Sequence, residues 1–495
     1  MIAGKETLFG LLVQVAALDP HAPAVRDAHG VWSYQELVDT ALDIAAWLRR
    51  QGVSRGDRVM VALPNSRHLV ALLYGGFAAG AAVVPVGAGA RPYQVAAIAA
   101  SAEPRLLVAE TTERFAELPP AGGNRRTATL DGMLAELTSD GLTSDVEPDD
   151  IALLIYTSGS TAGPKGVVSR HRQAVFAVRA IAERLGYRPG DVVGCRLPFS
   201  FDYGLYQTFL CAEAGAELAL IDGRDELSAF RAMITARPTV LPLVPPVAQT
   251  LIRLAARGDV ELPVRLITNT GAELTADTAQ GLRRVFPQAA LVPMYGMTEC
   301  KRISIAAPDA DLVKPGTVGR ALTGTDVAIV GDDDEVLPAG QVGEIVVSGP
   351  HVMDGYWRDP EASAGRFRLD PHTGRTRLYT GDFGWMDPDG ELRIVGRRDD
   401  VFKRRGVRTS VNEIEAAALD IAEVEEAAAA LVGPDRRCVL WVRAAIPPEH
   451  VLKGISERLE PARTPDHCLI VADLPRLPSG KVDKNRLKAE YVGNR

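Results

Sequence analysis

The sequence predicts an α/β protein with more than one domain, and three observations support this prediction. The chain has 495 residues, more than a single hydrophobic core usually holds. Apolar strand-like runs alternate with helical patterns through most of it, which indicates largely parallel sheets covered by helices. From about residue 325 to 395, short strands separated by Gly and Asp turns replace this alternation. We therefore expect a large N-terminal domain that includes a β-rich subdomain, followed by a small α+β unit.

The alternation can be assigned to individual elements. Residues 70–90 are uncharged and long enough to span a bilayer, but several glycines and Pro85 interrupt them. A buried helix ending near Gly80 and a strand at 81–86 are expected there, with no membrane span. Further strands are predicted at 58–63, 106–109, 151–156, 218–221, 240–244, 266–268, 427–432, 438–442 and 468–471. Further helices are predicted at 8–18, 34–50, 173–185, 276–286 (with Thr275 as N-cap) and 411–419.

Composition excludes several classes of protein. The chain is 46% hydrophobic and 24% charged, which is typical of soluble globular proteins, and its net charge of −8 argues against general nucleic-acid binding. Its five cysteines are odd in number and form no CxxC pair, so we expect a reducing, cytoplasmic compartment. The eight histidines are scattered without an HExxH motif, which argues against a zinc site.

A loop of small residues directly follows the predicted strand at 151–156. Its sequence, TSGSTAGPKG at 157–166, combines glycines that let backbone N–H groups approach an anion, hydroxyl donors and one ammonium. This composition suits a phosphate, although an ordinary Gly/Ser/Thr loop is the alternative. It is not a Walker A loop, because its lysine is followed by Gly166 rather than by Ser or Thr. The candidate phosphate-binding residues are Thr157, Ser158, Gly159, Ser160, Thr161 and Lys165.

The ten-residue pattern resembles the signature loop of the acyl-adenylate-forming superfamily, which comprises acyl-CoA synthetases, peptide-synthetase adenylation domains and luciferases. One departure is Ala162, where the family usually has glycine; Gly163 follows at once and can supply the flexibility. The resemblance covers nearly the whole chain, because further segments occur in the family's order. They lie at 271–273, 295–299, 379–382, 396–399 and 478–484. The resemblance implies an enzyme that activates a carboxylic acid with ATP, forming acyl-AMP and pyrophosphate.

The resemblance also implies roles for residues in the middle of the chain. Thr298 would hold the α-phosphate, and Glu299 would bind Mg²⁺, which neutralises the triphosphate. Tyr295 would make an aromatic contact with adenine. The strand end at the adenine pocket would consist of Gly271, Ala272 and Glu273.

Near the C-terminus, the resemblance implies a ribose site and a hinge. Asp382 would accept hydrogen bonds from ribose hydroxyls, and Arg397 would reach the ribose or a phosphate. Asp399 would be the hinge between a large domain at 1–397 and a small mobile lid domain at 398–495. The basic stretch 397–408 is either a solvated face or a surface for a phosphopantetheine-bearing acceptor.

Lys481, in the segment PSGKVDK, resembles the family's catalytic lysine. Attack of a carboxylate on the α-phosphate gathers negative charge, which an ammonium arriving on domain closure would stabilise in a desolvated site. Lys484 lies off the motif position and is interpreted as a surface lysine.

The identity of the acid depends mainly on Asp202. The pair Phe201-Asp202 resembles that of amino-acid-activating domains, whose aspartate holds the substrate ammonium, and a buried charge requires such a partner. The segments at 244–246 and 271–273 instead resemble acyl- or aryl-CoA synthetases, so a nitrogen-heteroaromatic acid or a purely structural Asp202 stays open. The candidate pocket residues are Phe201, Asp202, Tyr203, Val244, Gly271, Met294, Met297 and Cys300. Cys300 is interpreted as a small wall residue, because no paired base is evident.

We expect a freestanding ligase that forms acyl-AMP from an amino, aryl or N-heteroaryl acid, in natural-product biosynthesis. Its acceptor would be coenzyme A, the thiol of a phosphopantetheinyl carrier protein, or an amine, as in the amide-bond synthetases. The alternatives are an acyl- or aryl-CoA synthetase of general metabolism and a non-catalytic nucleotide-binding homologue.

Overall fold

A computed structural model describes residues 6–90, 92–115, 118, 125–139, 144–157, 164–223, 225–256, 261–371, 373–397, 401–404, 407–433, 436–459, 464–477 and 481–493. The chain divides into two compact units. Unit 1 comprises Met1–Val313, Arg320–Asp326 and Val347–Leu378. Unit 2 comprises Lys314–Gly319, Val327–Val346 and Tyr379–Arg495. The predicted domain boundary at 397/398 stays a prediction.

Among the described residues, the strands fall into five sheets. In chain order they are β1 (Pro23–Asp27), β2 (Gly30–Ser33), β3 (Arg58–Ala62), β4 (Ala82–Pro85), β5 (Leu106–Ala109), β6 (Arg126–Thr129), β7 (Ile151–Thr157), β8 (Lys165–Arg170), β9 (Val192–Cys195), β10 (Glu217–Leu220), β11 (Val240–Leu243), β12 (Leu266–Asn269), β13 (Ala290–Tyr295), β14 (Ser304–Ile305), β15 (Arg320–Ala321), β16 (Asp326–Val330), β17 (Gly343–Ser348), β18 (Phe367–Leu369), β19 (Thr376–Met386), β20 (Leu392–Arg397), β21 (Val401–Arg404), β22 (Val407–Ser410), β23 (Val424–Val432), β24 (Arg437–Ala444) and β25 (His467–Ile470).

The helices alternate with these strands along most of the chain. They are α1 (Leu8–Leu18), α2 (Tyr34–Arg50), α3 (Arg67–Ala78), α4 (Pro92–Ala102), α5 (Leu130–Ala135), α6 (His171–Leu185), α7 (Asp202–Ala214), α8 (Glu226–Ala236), α9 (Pro245–Ala255), α10 (Ala276–Val285), α11 (Ala310–Val313), α12 (Pro360–Arg366), α13 (Val411–Leu419), α14 (Pro448–Arg458) and α15 (Lys484–Gly493), with one 3₁₀ turn at Thr112–Phe115.

Two parallel-rich sheets form the framework of unit 1. One has nine strands in the order β15-β14-β13-β12-β11-β9-β10-β1-β2, and the other has six in the order β6-β5-β3-β4-β7-β8. Strands β9 to β13 pair in parallel, and β10, β11 and β12 are buried throughout. Burial on both faces explains why these strands read as continuous apolar runs in the sequence.

The other sheets are antiparallel or mixed. A five-stranded sheet has the order β16-β17-β19-β18, with β20 paired to β19. In unit 2, β21 pairs with β22, and β23, β24 and β25 form a third sheet against which α13 packs. The predicted α/β class is confirmed. No helix among the described residues is long and apolar enough to cross a membrane.

Local sequence explains several boundaries. Thr275 caps α10 as predicted, since its side chain accepts from the backbone N–H of Thr278. The uncharged stretch at 70–90 contains most of α3, followed by Gly80 at φ +76° and then β4. An L-residue would be strained at that φ, so glycine ends the helix and turns the chain into the sheet.

Two histidines are buried in unit 1, and we therefore expect the stability of the folded protein to decrease in acid. His171 and His351 are both fully buried, and burial lowers the pKa of each imidazole to about 4. In the unfolded chain each imidazole has a pKa near 6.5, so the unfolded chain binds more protons than the folded protein between pH 6.5 and 4. The free energy of unfolding therefore has its full value above pH 6.5 and decreases as the pH drops below it.

We expect each histidine to cost about 2 kcal/mol of stability at pH 5 relative to pH 7.5. Both nitrogens of His351 lack a hydrogen-bond partner within the described part of the chain, so His351→Leu removes a titrating group without removing a described bond. In urea unfolding at both pH values, the acid-induced loss in the free energy of unfolding should be about half as large in this variant as in the wild type. If His351→Leu loses as much stability in acid as the wild type, the contribution assigned to His351 is wrong.

Candidate active site

The predicted phosphate-binding loop lies between two paired strands of the six-stranded sheet. Thr157 ends β7, Lys165 begins β8, and the two residues are antiparallel partners. Gly166 lies against the ring of Tyr156, where an added Cβ would meet ring carbon at 2.8 Å. The predicted residues Ser158, Gly159, Ser160 and Thr161 lie outside the described residues.

The segment after β13 forms a tight turn. The carbonyl oxygen of Met297 accepts from the N–H groups of Cys300 (3.1 Å) and Lys301 (2.7 Å), so Thr298 and Glu299 lie within one turn. A Cβ on Gly296 would lie 2.1 Å from the carbonyl oxygen of Lys301. Glycine is therefore required at 296, and its close approach to the following backbone fixes the turn that presents the two predicted catalytic residues.

Glu299 has a buried carboxylate with one described hydrogen-bond donor. Its Oε1 accepts from the Tyr356 hydroxyl at 2.7 Å. No group of three or more His, Cys, Asp or Glu side chains suited to a metal occurs in the part of the chain that the structure describes. A single carboxylate completed by substrate phosphates and water is a usual environment for Mg²⁺, so Glu299 fits the predicted role with Mg·ATP.

Two buried cations follow this turn directly, and the sequence interpretation missed both. Lys301 is 1% exposed, its φ is +65°, and its ammonium donates to the Thr298 carbonyl at 2.9 Å. The ammonium also lies 5.4 Å from the ring centroid of Tyr206. Burial lowers the pKa of Lys301 to about 8, while the charges of Asp202 and Glu299 oppose the shift.

Arg302 connects this segment to Asp202. Its Nη1 lies 3.9 Å from Oδ2 of Asp202, and both side chains are about 5% exposed. Its guanidinium lies 4.9 Å from the ring centroid of Tyr203. The Nε atom of Arg302 has no hydrogen-bond partner among the described residues. A buried donor without a partner is costly, which makes this cluster suited to an anionic group.

The remaining predicted pocket residues lie on separate elements of unit 1. Tyr203 is fully buried and its hydroxyl donates to the Thr268 carbonyl at 2.8 Å. Cys300 is fully buried, and burial raises the pKa of its thiol, which agrees with a wall residue rather than a nucleophile. Phe201 and Met297 are half-buried, while Val244 and Met294 are buried.

The predicted adenine segment follows β12. Gly271 has φ +87°, and Ala272 and Glu273 are exposed. Together with Val244 after β11 and Tyr295 at the end of β13, these residues follow three adjacent parallel strands. Carboxyl ends of adjacent parallel strands are the usual place for ligands in α/β folds.

Unit 2 contains the predicted ribose and lid residues. Asp382 on β19 and Arg397 on β20 are cross-strand partners, with Nε to Oδ1 at 3.3 Å. Lys481 is exposed, and its carbonyl accepts from the Leu477 N–H at 2.8 Å. Lys484 is half-buried and pairs with Glu415 at 2.8 Å, so it is anchored rather than simply solvated. The predicted hinge, Asp399, lies outside the described residues.

Comparison with known proteins identifies the class. The family model "AMP-binding enzyme" matches residues 12–357. The chain therefore belongs to the AMP-binding enzyme family, and the resemblance to acyl-adenylate-forming enzymes is confirmed. It is an AMP-forming ligase of an ATP-dependent family.

Curated relatives include both long synthetases and a protein of similar length. The chain is 30% identical to tyrocidine synthase 3 of Brevibacillus parabrevis over 98% of its own length, but it spans only 8% of that synthetase. It is 29% identical to L-proline--(L-prolyl-carrier protein) ligase of Pseudomonas fluorescens, over 96% of this chain and 97% of the relative.

Solved structures give the same family. VinN in complex with L-aspartate is 38% identical, with a TM-score of 0.72, over 79% of this chain and 98% of that one. ATP-bound MatB from Rhodopseudomonas palustris is 28% identical, with a TM-score of 0.88, over 98% of this chain and 99% of that one.

Proposed function

We propose that this ligase adenylates an amino acid that carries a second carboxylate, and passes the aminoacyl group to the thiol of a phosphopantetheinyl carrier protein. The observation that carries the proposal is the buried cluster of Asp202, Lys301 and Arg302. It brings one buried carboxylate and two buried cations together, and a neutral fatty or aryl acid would supply neither an ammonium for Asp202 nor a carboxylate for Arg302.

The cluster matches the charges of an amino dicarboxylic acid. Asp202 would accept a hydrogen bond from the substrate ammonium. The second carboxylate would accept a hydrogen bond from Nε of Arg302, which has no described partner, and would pair with the Lys301 ammonium. The other carboxylate of the substrate would then be the one that reacts with ATP. Two similar proteins support this assignment by what their names state: VinN was solved with L-aspartate, and the ligase of P. fluorescens joins an amino acid to a carrier protein.

The reaction would proceed in two steps. An oxygen of the substrate carboxylate bonds to the α-phosphorus of ATP, the bond from phosphorus to the bridging oxygen breaks, and pyrophosphate leaves. The acceptor thiol gives its proton to solvent, and the resulting thiolate bonds to the acyl carbon. The bond from that carbon to the phosphate oxygen of AMP breaks, and AMP leaves. Thr298 and Lys165 would hold the phosphates, Asp382 and Arg397 the ribose, and Lys481 would stabilise charge in the first step. Mg²⁺ on Glu299, when bound, neutralises the triphosphate.

ATP–pyrophosphate exchange with a panel of acids tests the acid. Aspartate-type amino dicarboxylic acids should give at least about 10-fold faster exchange than two matched analogues, one without the amine and one without the second carboxylate. Each analogue lacks one of the two substrate charges that the cluster would bind. Faster exchange with a neutral amino, aryl or fatty acid would contradict the proposed acid.

Mass spectrometry tests the acceptor. Reactions containing the preferred acid and ATP would be supplied separately with coenzyme A, a holo carrier protein and a free amine. The expected product is a thioester on the carrier protein. Faster formation of an acyl-CoA or an amide would contradict the proposed acceptor while leaving adenylation intact.

A further inference from the structure

Tyr356 lies between two groups that the proposed function uses. Its hydroxyl donates to Glu299 Oε1 at 2.7 Å, and the ammonium of Lys165 lies 5.2 Å from its ring centroid. Both Tyr356 and Glu299 are buried, at 7% and 6% exposure. One side chain thus touches the predicted metal carboxylate with its polar end and the predicted phosphate lysine with its ring.

The backbone around Tyr356 holds it in this place. The N–H of Trp357 donates to the Gly166 carbonyl at 2.7 Å, and the N–H of Val168 donates to the Gly355 carbonyl at 3.0 Å, which ties the segment to β8. The N–H of Met353 donates to the Glu299 carbonyl at 3.0 Å. The short segment 353–357 is therefore bonded both to the strand after the phosphate loop and to the turn that carries Glu299.

The ring is fixed independently of its hydroxyl. It packs edge-on against Phe367, with ring centroids 5.6 Å apart, and it belongs to a small apolar cluster with Val167 and Met353. Because packing sets the ring, the hydroxyl reaches Glu299 from a rigid base. No hydrogen bond to Oε2 of Glu299 is made by the residues that the structure describes, so that oxygen is available to a ligand.

We propose that Tyr356 is a positioning residue. Its hydroxyl bonds to one carboxylate oxygen of Glu299 and so orients the other oxygen to bind Mg·ATP, while its ring lies against Lys165. The proposal rests on the proposed function, in which Glu299 binds the metal of Mg·ATP. Groups that orient a metal-binding carboxylate typically change metal affinity or activity 10- to 100-fold when removed.

Tyr356→Phe tests the proposal, because it removes the hydroxyl and keeps the ring that packs on Phe367 and faces Lys165. The matched control is Tyr187→Phe, which removes another buried hydroxyl bonded to a side chain: that hydroxyl donates to Gln207 at 2.9 Å and not to Glu299. In exchange assays, the Mg²⁺ concentration for half-maximal rate should rise about 10-fold in Tyr356→Phe and stay unchanged in Tyr187→Phe. Equal Mg²⁺ midpoints in both variants would overturn the proposal.

A binding measurement without any carboxylic acid separates this proposal from the proposed function. ATP affinity is measured by calorimetry with Mg²⁺ and with EDTA in its place. Tyr356→Phe should weaken binding about 10-fold with Mg²⁺ and less than about 2-fold with EDTA. Equal losses under both conditions would indicate a merely structural role and overturn the proposal. If wild-type protein binds Mg·ATP but exchanges with no acid, the proposed function fails and this comparison still decides the role of Tyr356.

A double-mutant cycle gives a second criterion. In a Glu299→Ala background, Tyr356→Phe should change Mg·ATP affinity less than about 2-fold, since the hydroxyl would have no carboxylate to orient. Additive losses from the two substitutions would overturn the proposal.

Discussion

Lys481→Ala is expected to slow ATP–pyrophosphate exchange by about 100- to 1,000-fold, while the KM for ATP changes only a few-fold. Attack on the α-phosphate builds negative charge on the entering carboxylate, the phosphoryl oxygens and the departing pyrophosphate. An ammonium that stabilises this charge contributes mainly in the transition state, so its loss lowers kcat rather than ground-state binding. The exposed position of Lys481 suits a group that is not committed to the core.

Lys484→Ala is the matched control for this result. Lys484 lies three positions further along the chain and pairs with Glu415 at 2.8 Å. Removing a partly exposed pair of this kind costs at most about 1 kcal/mol of stability, so the exchange rate should stay close to that of the wild type. A loss of similar size in both variants would contradict the assignment of Lys481.

Arg302→Met is expected to lower kcat/KM for an amino dicarboxylic acid about 100-fold, with a much smaller effect on a neutral amino acid. Truncating one member of a buried charge pair typically costs about 2–5 kcal/mol, because the remaining charge loses its partner. Methionine keeps most of the side-chain length, which limits the cavity beside Tyr203. The measurement is the ratio of kcat/KM for the dicarboxylic acid to that for the neutral acid. A loss of folded protein lowers both values by the same factor and leaves this ratio unchanged.

Arg283→Met provides the control for lost ion pairs. Arg283 pairs with Asp309 and Asp311 at 3.0 and 2.7 Å, outside the site, so this variant also loses an arginine with carboxylate partners. Its specificity ratio should match that of the wild type. An unchanged ratio in Arg302→Met would mean that Arg302 only neutralises Asp202, and the second carboxylate would be withdrawn from the proposal.

The regular elements were largely predictable because burial leaves a direct trace in the sequence. The predicted helices at 34–50 and 411–419 match α2 and α13, and the apolar run at 106–109 matches β5. Helix α6 begins two residues earlier than predicted, at His171, a buried residue whose polar character hid it from the apolar pattern. The distribution of strands between two parallel sheets was not predictable, since apolar runs do not encode which strands pair.

Residues of the candidate site could be proposed from the sequence where they are contiguous, but not where they meet only through space. Thr298 and Glu299 lie within one recognisable segment of the sequence, whereas the strand that precedes them, β13, was not predicted. Tyr356 is 57 positions from Glu299 along the chain, and nothing in its sequence context indicates that its hydroxyl reaches that carboxylate. Lys301 and Arg302 did carry a signal, because two cations immediately precede a short apolar run, and buried charges of this kind need partners.

The left-handed backbone at Lys301 has a practical consequence for redesigning acid selectivity. At φ +65°, a non-glycine residue costs about 1 kcal/mol, and β-branched side chains are the least tolerated. A randomised library at this position should therefore be enriched in Asn, Asp and Gly and depleted in Val, Ile and Thr before any selection for a substrate is applied. Position 302 carries no such backbone bias, so it is the site where a change of charge can be explored with the full amino-acid alphabet.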